Sequence, residues 1–433
     1  MNTDANIHPS LQKEPAIAIF GGGVSGKECL ELVRALGGMA VIYDEKAGSG
    51  DHIHFTANHA QNHRLIVNSP GFPPHHPWFR IAAQAGCEVI GETEFASRYW
   101  PGKVIGITGT NGKSTLTRLL TEVFCEAGFR AHAFGNIGDP FSGHLRAQPG
   151  PADIAILELS SFQTWNLHRF RLDAVIWTNF AEDHLDWHGD LKSYFNAKWR
   201  AIECACDGPV ILGESVIQQA LAYGRPVPEK AEIICDRIRT KESGKLSLIN
   251  EINLAYVAQL AAHWDIPVGT VRRVAEHFTY LPHRLTHVGS GLGLHFWNDS
   301  KATNFHAAEW ALASFYEPVV WIGGGLSKGG DLAAFARRIA PKIRVAMVFG
   351  AVRNELADAL IAARVPTYVA ETLEEAMELV RYEAMQGENV LFAPAFASFD
   401  QFQGYADRGK RFCSIVEREF KESAHTTPLS RNP

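Results

Sequence analysis

No Cys-x-x-Cys pair occurs in this chain, and its seven cysteines (Cys29, Cys87, Cys125, Cys204, Cys206, Cys235 and Cys413) are scattered and odd in number. This argues against a disulfide framework and a zinc site, and predicts thiols that serve as buried small apolar groups. No apolar run reaches the roughly 18 residues that a membrane-crossing helix requires. The polar opening MNTDANIHPSLQKEP supports no signal peptide, so a cytoplasmic chain without membrane partners is expected. Positive charge is not in excess either: 41 basic residues face 47 acidic ones, a net charge of −6. Without a global field to hold nucleic acid, a phosphate-bearing ligand must be gripped locally. There is also no G-x-S-x-G or paired Cys/His signature, and hence no sign of a covalent enzyme nucleophile.

The chain does have 433 residues, 46% of them hydrophobic, enough for two or three cores. Short aliphatic runs recur at 16–20, 40–43 and 64–68. A second series lies at 103–108, 153–159, 173–179 and 209–213, and a third at 319–325, 344–350 and 389–395. Runs that are apolar nearly throughout read as buried parallel strands alternating with helices, so three tandem α/β domains are expected. Breakers at Trp100-Pro101-Gly102 and Leu281-Pro282 place the domains at 1–101, 102–282 and 283–433.

The strongest local signal is KVIGITGTNGKSTLTRLLTEVF, a strand that enters a glycine turn and then a helix. Backbone N–H groups and a helix N-terminus converge there on one point, a geometry suited to phosphate. Lys113 adds a charge, and Ser114 or Thr115 offers a hydroxyl to magnesium. Leu116, Leu119, Leu120, Val123 and Phe124 form the apolar face that would bury the helix. The usual spacing calls for glycine at Ile107, so this loop is a variant that relies on Gly109 and Gly112. A second cluster, Gly21, Gly23 and Gly26 followed by Asp44, matches a dinucleotide fingerprint. With an ATP loop downstream, it suits the diphosphate of a nucleotide-sugar better than a nicotinamide.

Glu158 ends one predicted strand and Asp183-His184 follows the next, so both are expected to share the C-terminal crevice of the sheet with the loop. Their chemistry suits magnesium beside ATP. Zinc through His184 and His188 at helical spacing is the alternative, and it lacks an evident third soft ligand.

Taken together, GTNGKST, ELSSFQ, NIG at 136–138, NFAEDHLDWHGDLKSYFNAKWRAI, PHR at 282–284, NDSKATN at 298–304, GGGLSKGGD and APAFASFDQF resemble the Mur ligases. GGGVSG and SPGF extend the likeness into the first domain, so that it covers almost the whole chain. SPG, ELSSFQ and NDSKATN look most like the D-glutamate-adding branch. The resemblance implies a Rossmann-like N-terminal domain, a P-loop ATPase-like central domain and a Rossmann-like C-terminal domain in a monomer. It also implies ligation of D-glutamate to UDP-N-acetylmuramoyl-L-alanine through an acyl phosphate, with ATP and two magnesium ions. Lys113, Glu158, His184 and Lys198 would be the catalytic set, with Ser114, Glu158, His184 and a carbamylated Lys198 around metal. ATP would meet Gly109, Thr110, Asn111, Gly112, Lys113, Ser114, Thr115, Asn250, Asn253, Arg284 and Asp299. The UDP-sugar would meet Ser25, Asp44, Gly71, Asn136 and His184, and D-glutamate Lys301, Thr303, Lys328 and Ser398.

Three motifs depart from the family pattern. Ile249 stands where a histidine is usual, Thr286 where an acidic residue follows PHR, and Ala393 and Phe396 where serine and cysteine are expected. All three touch nucleotide or amino-acid pockets. Rival readings are a neighbouring ligase of the Mur or folylpolyglutamate type, a nucleotide-sugar-binding protein that no longer ligates, and a nicotinamide oxidoreductase. The third leaves the ATP loop unexplained. Because NDSKATN and the phosphate loop lie on separate predicted domains, hinge motion near Pro282 is expected.

Overall fold

Aliphatic and β-branched runs become strands wherever helices cover both of their faces. The computed structural model describes residues 16–145, 148–235, 248–279 and 281–420, and among them it has three sheets. The first contains β1 (Ile17–Phe20), β2 (Ala40–Tyr43), β3 (Leu65–Asn68) and β4 (Glu88–Gly91), all parallel in the order β2-β1-β3-β4. The second contains β5 (Lys103–Thr108), β6 (Arg130–Gly135), β7 (Asp153–Glu158), β8 (Ala174–Trp177), β9 (Val210–Gly213) and β10 (Glu232–Ile234). Its order is β10-β9-β8-β5-β7-β6, again all parallel. The third contains β11 (Thr286–Gly291), β12 (Leu294–Asn298), β13 (Val319–Gly324), β14 (Ile343–Phe349), β15 (Thr367–Val369) and β16 (Asn389–Ala395). Its order is β11-β12-β16-β13-β14-β15, with only β11 antiparallel to its neighbour.

The central strand β5 shows how the second sheet is buried. Ile105 and Ile107 face a core shared with Leu116, Leu120, Ile154, Ile176 and Tyr256. Val104, on the other face, joins Leu157, Val175, Trp177 and Phe195. That second core also contains Ile17, Val67, Phe95 and Trp100, so the first and second sheets share one hydrophobic interior.

The chain accordingly divides into two compact units. One holds the first two sheets, and the other holds the third sheet together with Ala181–Asp186. Within the first unit a polar seam joins the two sheets. Glu92 accepts the Ser142 N–H at 2.7 Å, Glu94 accepts those of His168 and Arg169 at 2.6 and 3.1 Å, and Asn68 accepts the Asn166 amide at 2.7 Å. Burial raises the Glu92 carboxyl above the usual range, against the pull of its bonds to Ser142 and Thr93.

The cysteines depart from expectation. All seven are free thiols, but only Cys29 and Cys204 are buried, whereas Cys125 and Cys235 are exposed. Cys125 sits on the helix beside the buried Phe124 but turned away from its apolar face, and Cys235 follows edge strand β10. Among the described residues, no helix is long and apolar enough to cross a membrane.

Candidate functional site

The turn after β5 is built by two glycines. Gly109 has φ +150° and Gly112 +84°, and a Cβ at Gly109 would lie 2.0 Å from the Thr178 hydroxyl. The residues just after β8 brace the turn from beside it. Asn179 accepts the Thr110 N–H on its carbonyl (3.0 Å) and the Asn111 N–H on its side chain (2.9 Å), while Thr178 Oγ1 donates to the Asn111 carbonyl at 2.7 Å. Helix Lys113–Glu126 follows, with Leu116, Leu119, Leu120, Val123 and Phe124 all buried as the spacing predicts. Ile107 sits at the position of the missing glycine because it is still inside the sheet, fully buried and opposite Glu158 in register. Lys113 Nζ donates to the carbonyls of Gly109 and Thr110, both at 2.9 Å, and so lies across the turn.

Glu158 ends β7 and is 2% exposed. Its Oε1 accepts the Asn136 amide at 2.9 Å, and its Oε2 is buried without any partner. A buried carboxylate oxygen left over in this way suits a hard cation. Lys198 lies on helix Leu191–Glu203, which Asp190 caps through the Ser193 N–H at 2.7 Å. Its side chain is buried and is not part of a surface ion pair. Nζ donates to the Gly109 carbonyl at 2.8 Å and sits 5.0 Å from the centre of the Tyr194 ring, whose hydroxyl lies 3.2 Å from that of Thr110. Two lysines thus meet on one loop carbonyl. Asn253 is buried too: its Nδ2 has no partner, and its Oδ1 faces Gly112. The side chain of Asn250 lies outside the described residues. Ser114 and Thr115 are buried at the helix start.

No group of three or more His, Cys, Asp or Glu side chains converges among the described residues. His188 packs among Phe162, Trp187 and Tyr194, with Nε2 2.9 Å from Ser161 Oγ. Magnesium needs no such cluster, because one or two carboxylates plus phosphate and water complete its shell.

A cavity of about 640 Å³ opens beside the first glycine cluster and is lined by Ser25, Asp44, Gly71 and Asn136, though not by His184. The glycines divide the work. A Cβ at Gly26 would strike the Gly21 carbonyl at 1.9 Å, so that position permits close packing of helix on strand, whereas nothing lies within 4 Å of one at Gly23. Asp44 accepts the Gly22 and Lys46 N–H groups at 2.7 and 2.8 Å. Asn136 lines this cavity while also holding Glu158, so one side chain links the pocket to the carboxylate.

The second unit has its own cavity, of about 190 Å³, lined by Asp183, Thr303, Asn304, Lys328 and Phe396 among others. Asp183 was expected beside Glu158 and the loop. Within its own unit, its carboxylate takes the Lys328 ammonium at 3.1 Å and the Asn304 amide at 2.9 Å. Burial pushes the Asp183 carboxyl up, but Lys328, His184 and Asn304 outweigh it and hold it below the usual range. His184 has a left-handed backbone (φ +54°), donates its N–H to Asp183 Oδ1 at 2.9 Å and has Nε2 3.5 Å from Oδ2. Of the four residues expected around the amino acid, Thr303 and Lys328 line this cavity. Lys301 instead sits 3.9 Å over the Tyr405 ring, and Ser398 is buried. Asp299 accepts the Leu285 N–H at 3.2 Å, and burial pushes its carboxyl up to about 7 despite the opposing charge of Arg284. Asn304, Thr178 and Asn179 were missed as site-forming residues, although each stands inside a motif that had been read.

Strand–loop–helix phosphate geometry on one parallel sheet, in a chain whose first and third sheets carry cavities of their own, defines a nucleotide-dependent α/β enzyme fold. Residues 107–213 match the Mur ligase middle domain and residues 283–396 the Mur ligase glutamate ligase domain. The chain is 33% identical to the UDP-N-acetylmuramoylalanine–D-glutamate ligase of a Hydrogenobaculum species, covering 94% of this chain and 99% of that protein. It is 34% identical to the Aquifex aeolicus ligase of the same name, covering 92% and 98%. With such relatives, the chain belongs to the Mur ligase family. Among solved structures, a pseudomurein peptide ligase type C from Methanothermus fervidus shares the fold with TM-score 0.59 at 12% identity, covering 93% of this chain and 100% of that one. A UDP-N-acetylmuramate-alanine ligase from Thermotoga maritima does so with TM-score 0.57 at 15% identity, covering 93% and 99%.

Proposed function

We propose that this chain is a cytoplasmic, monomeric, ATP-dependent amide ligase that joins D-glutamate to UDP-N-acetylmuramoyl-L-alanine, releasing ADP and phosphate. The domains are taken as 1–101 for the UDP-sugar, 102–282 for ATP and 283–433 for the amino acid. The observation that carries the reading is Asn136, which binds Glu158 next to the phosphate loop while lining a cavity of nucleotide-sugar size. Relatives that bear this activity in their names and align over nearly the whole chain support the choice of substrates.

The substrate carboxylate attacks the γ-phosphate, ADP leaves, and the amine of D-glutamate then displaces phosphate from the acyl phosphate. Two anions must meet in the first step, so positive charge has to be fixed in advance. The turn Gly109–Thr115 cradles phosphate, and Lys113 swings from its two loop carbonyls onto the phosphate oxygens. Asn253 offers its unpaired amide to the nucleotide, and Asn250, Arg284 and Asp299 are assigned to it from their motifs. Ser25, Asp44, Gly71 and Asn136 orient the UDP-sugar. Thr303 and Lys328 receive D-glutamate, with Lys301 two residues from Thr303 and Ser398 two residues from Phe396, which lines the same cavity. Magnesium, which fits Ser114, Glu158 and a carbamylated Lys198, would neutralise phosphate charge when bound. Lys198 as a carbamate would keep one Nζ–H for the Gly109 carbonyl while exchanging a cation for an anion. His184 is assigned to metal and sugar from its motif.

The test is phosphate release from ATP with UDP-N-acetylmuramoyl-L-alanine fixed and D-glutamate, L-glutamate, L-lysine, L-alanine or no amino acid added. Release that depends on D-glutamate is expected. Release with another amino acid would move the specificity. None with any would favour a binding protein that no longer ligates.

A further inference from the structure

One fully buried guanidinium ties together three strand ends of the third sheet. Arg408, on helix Tyr405–Glu419, donates through Nε to Ser300 Oγ (3.1 Å) and through Nη2 to the Ser300 carbonyl (2.9 Å). Its Nη1 reaches the carbonyls of Phe396 (3.0 Å), Ala397 (3.3 Å) and Gly324 (3.5 Å). Those residues follow or end β12, β16 and β13, which are neighbours in the sheet. Ser300 adjoins Lys301, Phe396 lines the Lys328 cavity, and Ala397 adjoins Ser398. Every arm of the fork therefore ends on, or one residue from, a segment assigned to the amino acid, except the Gly324 arm at the start of the loop that carries Lys328. The backbone is closely packed there: a Cβ at Gly325 would lie 2.2 Å from the Ala397 carbonyl and 3.1 Å from Arg408 Nη1.

Burial lowers the guanidinium to about 9 against the opposing charge of Asp400, leaving it charged at neutral pH, while its hydrogen bonds all go to carbonyl oxygens and the Ser300 hydroxyl. Carbonyl dipoles carry the solvation of this cation. That is a costly arrangement if the only need were stability, because an apolar side chain of similar volume would fill the space without desolvating a charge.

We propose that Arg408 is a positioning residue for the amino-acid substrate, an inference that rests on the D-glutamate reading above. Its planar fork sets the spacing of the three strand-end segments that receive D-glutamate, and its charge biases that end of the sheet toward a dicarboxylic amino acid. Lysine cannot replace it, since a point ammonium has no fork with which to span three strands.

The experiment varies each substrate in turn for the wild type, Arg408→Lys and Arg408→Met, with thermal unfolding followed in parallel. The expected result is a fall of about a hundredfold in kcat/KM for D-glutamate in Arg408→Met, the scale of loss caused by a misplacement of about 1 Å. Arg408→Lys should lose less, and KM for ATP and for the UDP-substrate should hold in both. A wild-type KM for D-glutamate in folded Arg408→Lys would overturn the inference, as would a parallel rise in KM for all three substrates. If Arg408→Met does not fold, the lysine variant decides alone. Absence of D-glutamate-dependent release in the wild type would sink the functional reading and this inference with it, whereas unaffected variants beside an active wild type sink this inference only.

Discussion

Glu158 bonds Asn136 through one oxygen and has no hydrogen-bond partner on the other, the one proposed for metal. Replacing it with glutamine keeps the shape and the Asn136 contact but removes the charge. Glu158→Gln should therefore lower phosphate release by about a hundred- to a thousandfold; a variant with near wild-type turnover would discard the carboxylate's role. Lys198→Ala should likewise abolish release, and normal turnover there would discard the carbamate. Asp299 makes a prediction about pH. Its carboxyl is raised from 3.8 to about 7 by burial, so within that window the folded chain keeps a proton that the unfolded chain has lost. Its contribution to stability thus falls as pH rises from about 4 to about 7 and is flat above. Urea unfolding at stepped pH should show Asp299→Asn gaining on the wild type across that window, and parallel curves would refute the assignment. At this scale the sequence reveals residues that chemistry requires at fixed spacing, such as Lys113 and Glu158. It hides those whose partners come from far along the chain. Asp183 looked like a companion of Glu158 because both follow strands, but Lys328, 145 residues away, decides where its carboxylate goes.

Among elements, the phosphate turn is set by conformation before any ligand chemistry. Gly109→Ala would place a methyl against Thr178 Oγ1 in a backbone region that side chains avoid, at a cost of about 1–3 kcal/mol. A lower Tm and a higher KM for ATP are expected, whereas an unchanged KM would show that the turn relaxes freely. Continuous aliphatic runs identified β5, β7, β8, β13, β14 and β16 because those strands are flanked on both sides and covered on both faces. The strands that went unread are mostly edges. β4 begins with Glu88, β6 carries Arg130 and His132, and β10 and β15 have three residues each. With one neighbour and partial cover, such strands need no buried run. β12 escaped for another reason: its side chains alternate between buried and exposed, a pattern of period two that a search for unbroken apolar stretches passes over.

At the scale of the molecule, the phosphate turn lies in one compact unit, whereas the residues assigned to the amino acid lie in the other. We predict that one unit closes on the other on loading, so X-ray scattering should change when an ATP analogue and the UDP-substrate are added together; identical profiles would count against this. The sequence shows three successive α/β blocks, and the described residues form three sheets. It does not show that the first two share an interior, because that depends on Glu92 and Glu94, whose partners are backbone N–H groups with no signature in the residue string. The seam between those two sheets bears on how such chains can be recombined. A chimera that exchanges only the first hundred residues for those of a relative would leave Ser142, His168 and Arg169 facing a foreign surface, and would move two buried acids to a place without matching donors. The block that can be inherited whole is larger than a domain: it includes both sheets and the carboxylates that bind them.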